Sequence, residues 1–189
     1  MKRYELSSSL SSNKQLLEEF QPESGVQLSD CYQCGKCSAG CPVAFAMDYS
    51  PNQIIRLLQL GMAEEALEAK TPWLCACCAT CYTRCPKEVD LPALMDVLCK
   101  EGKSRGFIGE KTVDLFHELF LKSVEKNGRV HEMGLILQYN LSSGQFLKDA
   151  VHAPKLLFNG KISPFPHKIK NEDAVQRIFK RCSSGGGES

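Results

Sequence analysis

CYQCGKCSAGCP, residues 31–42, and CACCATCYTRCP, residues 75–86, are two copies of one spacing, C-x2-C-x2-C-x3-C-P. The first copy supplies Cys31, Cys34, Cys37, Cys41 and Pro42, and the second Cys75, Cys78, Cys81, Cys85 and Pro86. Each cysteine of the second copy follows its counterpart by 44 positions, from 31 to 75 and from 41 to 85. A run of this kind holds an iron–sulfur cubane, in which each iron needs one thiolate. Three cysteines at x2 intervals can wrap one face of the cube in a tight turn. The fourth stands further away, and the proline behind it stops a helix from continuing through.

In two-cluster proteins with this pattern the fourth cysteine of each run ligates the other cluster. The spacing therefore predicts two 4Fe–4S clusters. One takes Cys31, Cys34, Cys37 and Cys85; the other takes Cys75, Cys78, Cys81 and Cys41. The alternative is that each run closes its own cube. Crossed ligation would tie cluster assembly to folding, as metal binding does in small zinc domains. Structural zinc sites pair two short C-x2-4-C hooks across a longer gap. Two complete four-cysteine runs, each followed by proline, do not fit that form.

The remaining cysteines read as bland. Cys77 lies inside the second run but out of register, and reads as a small packing residue or as one that tunes the adjacent cluster. Cys99 falls on the apolar face of a predicted helix and is expected in the core. Cys182 borders a Gly/Ser-rich tail and is expected to be inert. Lys36 and Arg84 lie inside the runs, as solvated surface charges or as offsets to the negative charge of reduced clusters. Tyr32, Trp73 and Tyr82 read equally well as covers over a cluster or as ordinary core. His117, His131, His152 and His167 show no ligand spacing and are assigned no chemistry.

The 189 residues suit one domain with an appendage. With 43% hydrophobic and 24% charged residues the composition is that of an ordinary globular protein. A net charge of +1 gives no reason to expect nucleic acid or an acidic membrane surface as a partner. No apolar run approaches the roughly 20 residues that a transmembrane helix needs. The first residues carry Lys2 and Arg3 but no apolar signal-peptide region. A cytoplasmic protein is expected, where reduced thiols bind metal rather than form disulfides.

Helical signals fill the chain around the cysteines. Ser12 can cap a short helix through Phe20, with Leu16, Leu17 and Phe20 on one side, broken by Pro22 and Gly25. Between the runs, Ser50 is an N-cap, Pro51 suits the first helical position and Gln53 completes a capping box. Ile54, Ile55, Leu57 and Leu58 form the stripe, Gly61 the stop, and Met62 to Ala69 a second helix. Asp90 caps a helix with Leu91, Leu94, Met95, Leu98 and Cys99 at helical spacing, expected to end at Gly102 and Gly106. A longer helix is predicted over 108–126, with Val113, Phe116, Phe120 and Val124 lining one face, Leu115 and Leu119 beside them, and Gly128 as stop. Another follows from His131 to Leu141. Pro154, Pro164 and Pro166 predict an irregular stretch from Ala153 to His167, before a last helix from Asn171 through Lys180. No strand pair is visible. The fold class is all-α: an α-helical ferredoxin-like domain with two clusters held between helices, plus a C-terminal helical extension. The expected divisions are an N-terminal helical arm (1–25), the dicluster domain (26–106), the helical extension with its proline-rich segment (107–182) and a disordered tail (183–189).

No G-x-G-x-x-G follows a strand signal and no G-x4-G-K-[ST] occurs. Nothing suggests paired carboxylates or a Ser–His–Asp site, so no residue is assigned a catalytic role. A two-cluster chain without a flavin or nucleotide site reads as a conduit whose partners supply the donor and acceptor chemistry.

Three stretches carry a family resemblance: CYQCGKCSAGCPVAFAMDYSPNQIIRLLQLG (31–61), WLCACCATCYTRCPKEVDLPALMDVL (73–98) and FHELFLKSVEKNGRVHEMGL (116–135). From about Gly25 to Leu141 the chain resembles the C subunits of heterodisulfide reductase and their bacterial relatives. The cysteine runs alone are shared by many ferredoxin-like subunits. The Ser-Pro helix between them and the stretch from Gly128 to Glu132 narrow the likeness. The resemblance implies two 4Fe–4S clusters in an α-helical ferredoxin fold. It implies a relay between a flavin-bearing, iron–sulfur-rich A-like subunit and a B-like subunit with Cys-Cys-Gly motifs, in an obligate hetero-oligomer inactive as a lone chain. In methanogens that B subunit reduces the disulfide of coenzyme M and coenzyme B.

Two other functions compete. One is the iron–sulfur subunit of a fumarate reductase or glycolate oxidase type of dehydrogenase, passing electrons toward quinone. Such chains often carry an extra 2Fe–2S or cysteine-rich domain, and neither is visible here. The other treats the clusters as structural staples of an interaction module, which would leave them redox-silent.

Overall fold

The structure, a computed structural model of the chain, describes residues 23–144, 166 and 169–184. The expected helix from Ser12 to Phe20, nearly all of the irregular stretch from Ala153 to His167, and the tail from residue 185 onward lie outside the described residues. Among the described residues the regular elements are helical and none is a strand. The chain divides into two compact units, Met1–Lys111 and Thr112–Ser189.

In the first unit six helices follow a short 3-10 turn at Leu28–Asp30: α1 (Lys36–Ala39), α2 (Pro51–Gln59), α3 (Ala63–Glu68), α4 (Thr71–Leu74), α5 (Thr80–Thr83) and α6 (Leu91–Ser104). The long helices start and stop where local chemistry dictates. The Gln53 carboxamide oxygen accepts the Ser50 backbone N–H at 2.7 Å, tying down the entry to α2. At its other end Gly61 takes φ +71. The Gly61 N–H then reaches the Leu58 carbonyl at 2.9 Å, and the Met62 N–H reaches Leu57 at 2.8 Å. This is a Schellman closure that a left-handed residue makes possible. The Asp90 carboxylate accepts the Ala93 N–H at 3.0 Å and opens α6.

α6 does not stop at Gly102. It runs on to Ser104 and closes at Gly106, where φ is +80 and the Phe107 N–H returns to the Gly102 carbonyl at 2.7 Å. Gly102 serves packing instead. A Cβ there would stand 2.8 Å from the Phe107 carbonyl oxygen. Gly109 is more confined still, since a Cβ would run into the carbonyl oxygen of Ala69.

The core joins α2, α3 and α6. Ile54, Ile55, Leu58, Leu67, Leu91, Leu94 and Leu98 are fully buried in it. Each such side chain contributes about 1.5–3 kcal/mol of hydrophobic transfer energy. α4 packs on α6, and α1 and α2 pack together. Cys99 is only half-buried at the margin of α6, so it is not the core residue its spacing suggests.

In the second unit α7 (Lys111–Asn127), α8 (Glu132–Ser143) and α9 (Glu172–Ser184) are helical. α7 begins at Lys111 rather than 108. Residues 109 and 110 are held instead by Ala69 and by the Lys70–Glu110 ion pair at 3.5 Å. Gly128 closes α7 with φ +75 and seats the Ile169 side chain against its bare Cα. Phe116 and Phe120 are exposed, contrary to their expected role as an apolar face, while Asp114 and Asn127 are buried. The two rings meet each other at 6.3 Å, and Phe116 meets Tyr139 edge-on at 5.9 Å. His131 caps α8, accepting the Gly134 N–H on Nδ1 at 3.2 Å. α9 extends past Lys180 to Ser184, so Ser183 and Ser184 belong to the helix and not to a disordered tail.

Candidate cluster-binding site

Both cysteine runs take the same backbone path. In the first, Gln33 and Gly35 adopt φ +62 and +74, and α1 follows. In the second, Cys77 and Ala79 adopt φ +48 and +56, and α5 follows. The left-handed residues occupy matching positions. A non-glycine residue held there costs on the order of 1–3 kcal/mol and persists where its surroundings demand it. Such alternation turns successive N–H groups to one side, the concavity that receives anionic iron–sulfur groups. Cys77 is therefore exposed and shaped by the turn, rather than a packing residue.

The structure sets the runs against each other by packing α1 on α5. Cys37 is buried; Cys31, Cys41, Cys75, Cys81 and Cys85 are half-buried; Cys34 and Cys78 are exposed; none of them is in a disulfide. Cys31, Cys75, Cys81 and Cys85 border the aliphatic core. Burial raises the Cys37 thiol, with a smaller contribution from Cys31. Burial likewise raises Cys81, on which Cys37 and Cys78 both act. Burial pushes Cys75 up to about 11, whereas hydrogen bonding to Thr80 lowers the exposed Cys78. The Tyr32 phenol is raised by lost hydration, then by a hydrogen bond to Cys34 and by the charges of Cys34 and Cys85. Cys85 thus acts on Tyr32 in the first run, and Cys37 acts on Cys81 in the second.

A polar network holds the first run on α2. Gln33 Nε2 reaches Cys31 Sγ at 3.5 Å and Gln59 Oε1 at 3.4 Å. Gln59 Nε2 donates to the carbonyls of Leu28 and Cys31 at 2.8 and 2.9 Å. Asn52 donates from its side chain to Gln33 at 3.3 Å, and its N–H donates to the Ser38 hydroxyl at 3.0 Å. An open hollow of about 560 Å³ lies over Cys31, Tyr32, Gln33, Arg56 and Gln59. At Cys85 the Val89 N–H points to Sγ at 3.4 Å.

Sequence reading overlooked Asp48. It accepts the N–H of Lys70 at 2.8 Å and the N–H and hydroxyl of Thr71 at 3.1 and 2.8 Å. Partial burial alone would raise its carboxyl. The bonds from Lys70, Thr71 and Tyr49 outweigh that and hold it below the usual range. The segment leaving the first run is thereby fastened to α4, which leads into the second. No spacing rule points from residue 48 to residue 71.

The donor set fits cubanes. Among the described residues no three His, Cys, Asp or Glu side chains are close enough to share one metal ion. A cubane spreads its four thiolates over four irons. Of the aromatic residues beside the runs, Tyr32 and Tyr82 are exposed and Trp73 is buried. The Trp73 Nε1 has no hydrogen-bond partner. Leaving such a donor unpaired costs about 1–3 kcal/mol.

Two left-handed cysteine turns on an all-helical frame define an α-helical dicluster iron–sulfur protein. Residues 27–89 match the 4Fe-4S dicluster domain family. The chain is 39% identical over 72 residues to the iron-sulfur C subunit of the CoB–CoM heterodisulfide reductase of Methanopyrus kandleri, covering 38% of each chain. To the C subunit of the H(2):CoB-CoM heterodisulfide,ferredoxin reductase of Methanothermobacter marburgensis it is 31% identical over 96 residues, 51% of this chain and 52% of that one. To the C subunit of the ferredoxin:CoB-CoM heterodisulfide reductase of Methanosarcina acetivorans it is 38% identical over 90 residues, 48% of this chain and 36% of that one. Over these stretches the chain is similar to heterodisulfide reductase C subunits, and its dicluster domain marks it as an iron–sulfur protein holding two 4Fe–4S clusters. It spans about half or less of the length of these relatives. No helix among the described residues is long and apolar enough to cross a membrane.

Proposed function

We propose that this chain is the electron-relay subunit of a heterodisulfide-reductase-type complex. It passes electrons between an A-like flavin and iron–sulfur subunit and a B-like subunit that reduces a disulfide. The observation that carries this reading is the packing of α1 on α5, which brings the two cysteine turns together on one rigid helical frame. The names of the relatives, each a C subunit of a CoB–CoM heterodisulfide reductase, supply the class of complex.

The ligand assignment within it is crossed: Cys31, Cys34, Cys37 and Cys85 for one cluster, and Cys75, Cys78, Cys81 and Cys41 for the other. The packing of α1 on α5, which sets each run against the other, is the geometry that favours crossing. The side chain of Arg84 lies over Gly40, so the end of the second run rests against the end of the first. When bound, the clusters accept and release single electrons. The protein's own residues orient the thiolates, through the left-handed turns and the Gln33–Gln59–Asn52 network. The exposed Cys34 and Cys78 set each turn near the surface, where a partner's redox group can approach. The aliphatic core behind Cys31, Cys75, Cys81 and Cys85 keeps water from the inner side and resists rearrangement when charge changes.

Anaerobic affinity isolation tests this reading. The chain should bring down a flavoprotein and a Cys-Cys-Gly subunit, and the dithionite-reduced complex should be reoxidised by a disulfide substrate. Reoxidation at an undiminished rate by a complex lacking this chain would sink the relay role.

A further inference from the structure

Trp73 is the single tryptophan of the chain. It lies in α4, two residues before Cys75, and is 5% exposed. It is not among the residues of the aliphatic core shared by α2, α3 and α6. Its Nε1 is buried and unpaired. An indole N–H is a donor only, and buried donors in folded proteins find acceptors. Two residues of chain span at most about 7 Å, so the Trp73 backbone lies within that reach of Cys75, where the turn opens. The protein atoms around the indole supply no acceptor, whereas sulfur atoms bound at that turn would.

We propose that Trp73 Nε1–H donates a hydrogen bond to a sulfur of the cluster held by Cys75, Cys78 and Cys81, and that this bond raises that cluster's reduction potential. The inference rests on the reading that the second run holds a cluster. A donor facing a cluster sulfur draws off negative charge, stabilises the reduced state more than the oxidised one, and moves the potential upward. The effect is confined to one cluster. The corresponding position before the first run is Ser29, which is exposed and has no N–H in its side chain. Trp73 is a positioning and tuning residue, not a ligand.

Because there is one tryptophan, indole-15N labelling of the full chain marks this site alone. Pulsed electron–nuclear double resonance on the reduced, labelled protein should show a 15N coupling to one cluster. A redox titration of Trp73→Phe should lower one midpoint potential and leave the other in place. Global replacement of tryptophan by β-(3-benzothienyl)alanine, which keeps the shape and removes the N–H, should give the same single shift. Absence of 15N coupling in the reduced wild-type protein overturns the hydrogen bond, whatever the variants do. Coupling with both potentials unchanged in the shape-preserving variant overturns the tuning role. Wild-type protein with far fewer than about eight irons per chain would instead mean that the underlying cluster reading has failed.

Discussion

Asp48 Oδ1 accepts the Thr71 N–H at 3.1 Å, across an interval of 23 residues that includes all of α2 and α3. With the Lys70 N–H on Oδ2 at 2.8 Å, the carboxylate closes the loop between the two cysteine runs. The second run is thus placed relative to the first by one side chain as well as by the core.

Removing that carboxylate should loosen the second turn. Asp48→Ala is expected to cost about 1–3 kcal/mol, the range for charge-assisted hydrogen bonds and the donors left behind. Asp48→Asn should cost less. The carboxyl is held below its ordinary 3.8, so the stability it adds is fully present above that pH and is lost as pH falls through the depressed value. Denaturant titration of the two variants beside wild type, at pH 7, measures the effect.

Single-cysteine variants test the ligand register. Cys34→Ser or Cys78→Ser should lower the iron content from about eight toward about four per chain and stop electron flow through the complex. Cys77→Ala, Cys99→Ala and Cys182→Ala should keep full iron. Iron loss in any of these three would place a ligand outside the C-x2-C-x2-C-x3-C register.

Gly109→Ala and Gly102→Ala should destabilise by overpacking, since each new methyl group meets backbone rather than a yielding side chain. About 1–3 kcal/mol is expected, with Gly109 the more severe because its methyl group would press harder on Ala69 than that of residue 102 on Phe107. Gly40→Ala meets only the flexible Arg84 side chain and should cost less. Thermal unfolding of the three variants, followed at one protein concentration, ranks them.

Cluster assembly should depend on pH. Each thiol that becomes a thiolate ligand releases a proton, and burial holds Cys37, Cys75 and Cys81 in the protonated form. Reconstitution with iron and sulfide should therefore run faster and more completely at pH 9 than at pH 7. For the cluster-free chain the sign reverses. A thiol raised from 9.0 to about 11 at Cys75 leaves stability intact below pH 9 and erodes it as pH climbs through about 11. Absorbance-monitored reconstitution and alkaline unfolding of the apo chain check the two halves separately.

Where local chemistry decides structure, sequence reading succeeded. The Ser50–Gln53 box, the Asp90 cap and the glycines at 61, 106 and 128 act within a few residues of chain, and each does what its type demands. Where a residue's role depends on what packs against it, spacing alone misled. Gly102 has the look of a helix terminator, yet it is the bare spot that admits the Phe107 carbonyl. Phe116 and Phe120 follow helical periodicity, but Asp114 and Asn127 take the buried positions.

The amino-acid sequence by itself determined the cofactor chemistry and the helical class. Thiolate spacing along the chain is a local property, and so are caps and apolar stripes. Only the tertiary structure decided that the two runs share one backbone form, that α1 rests on α5, that Asp48 clasps Thr71, and that the Trp73 N–H is buried without a partner. Those relationships join residues far apart in the chain, through packing and hydrogen bonds that no residue specifies alone.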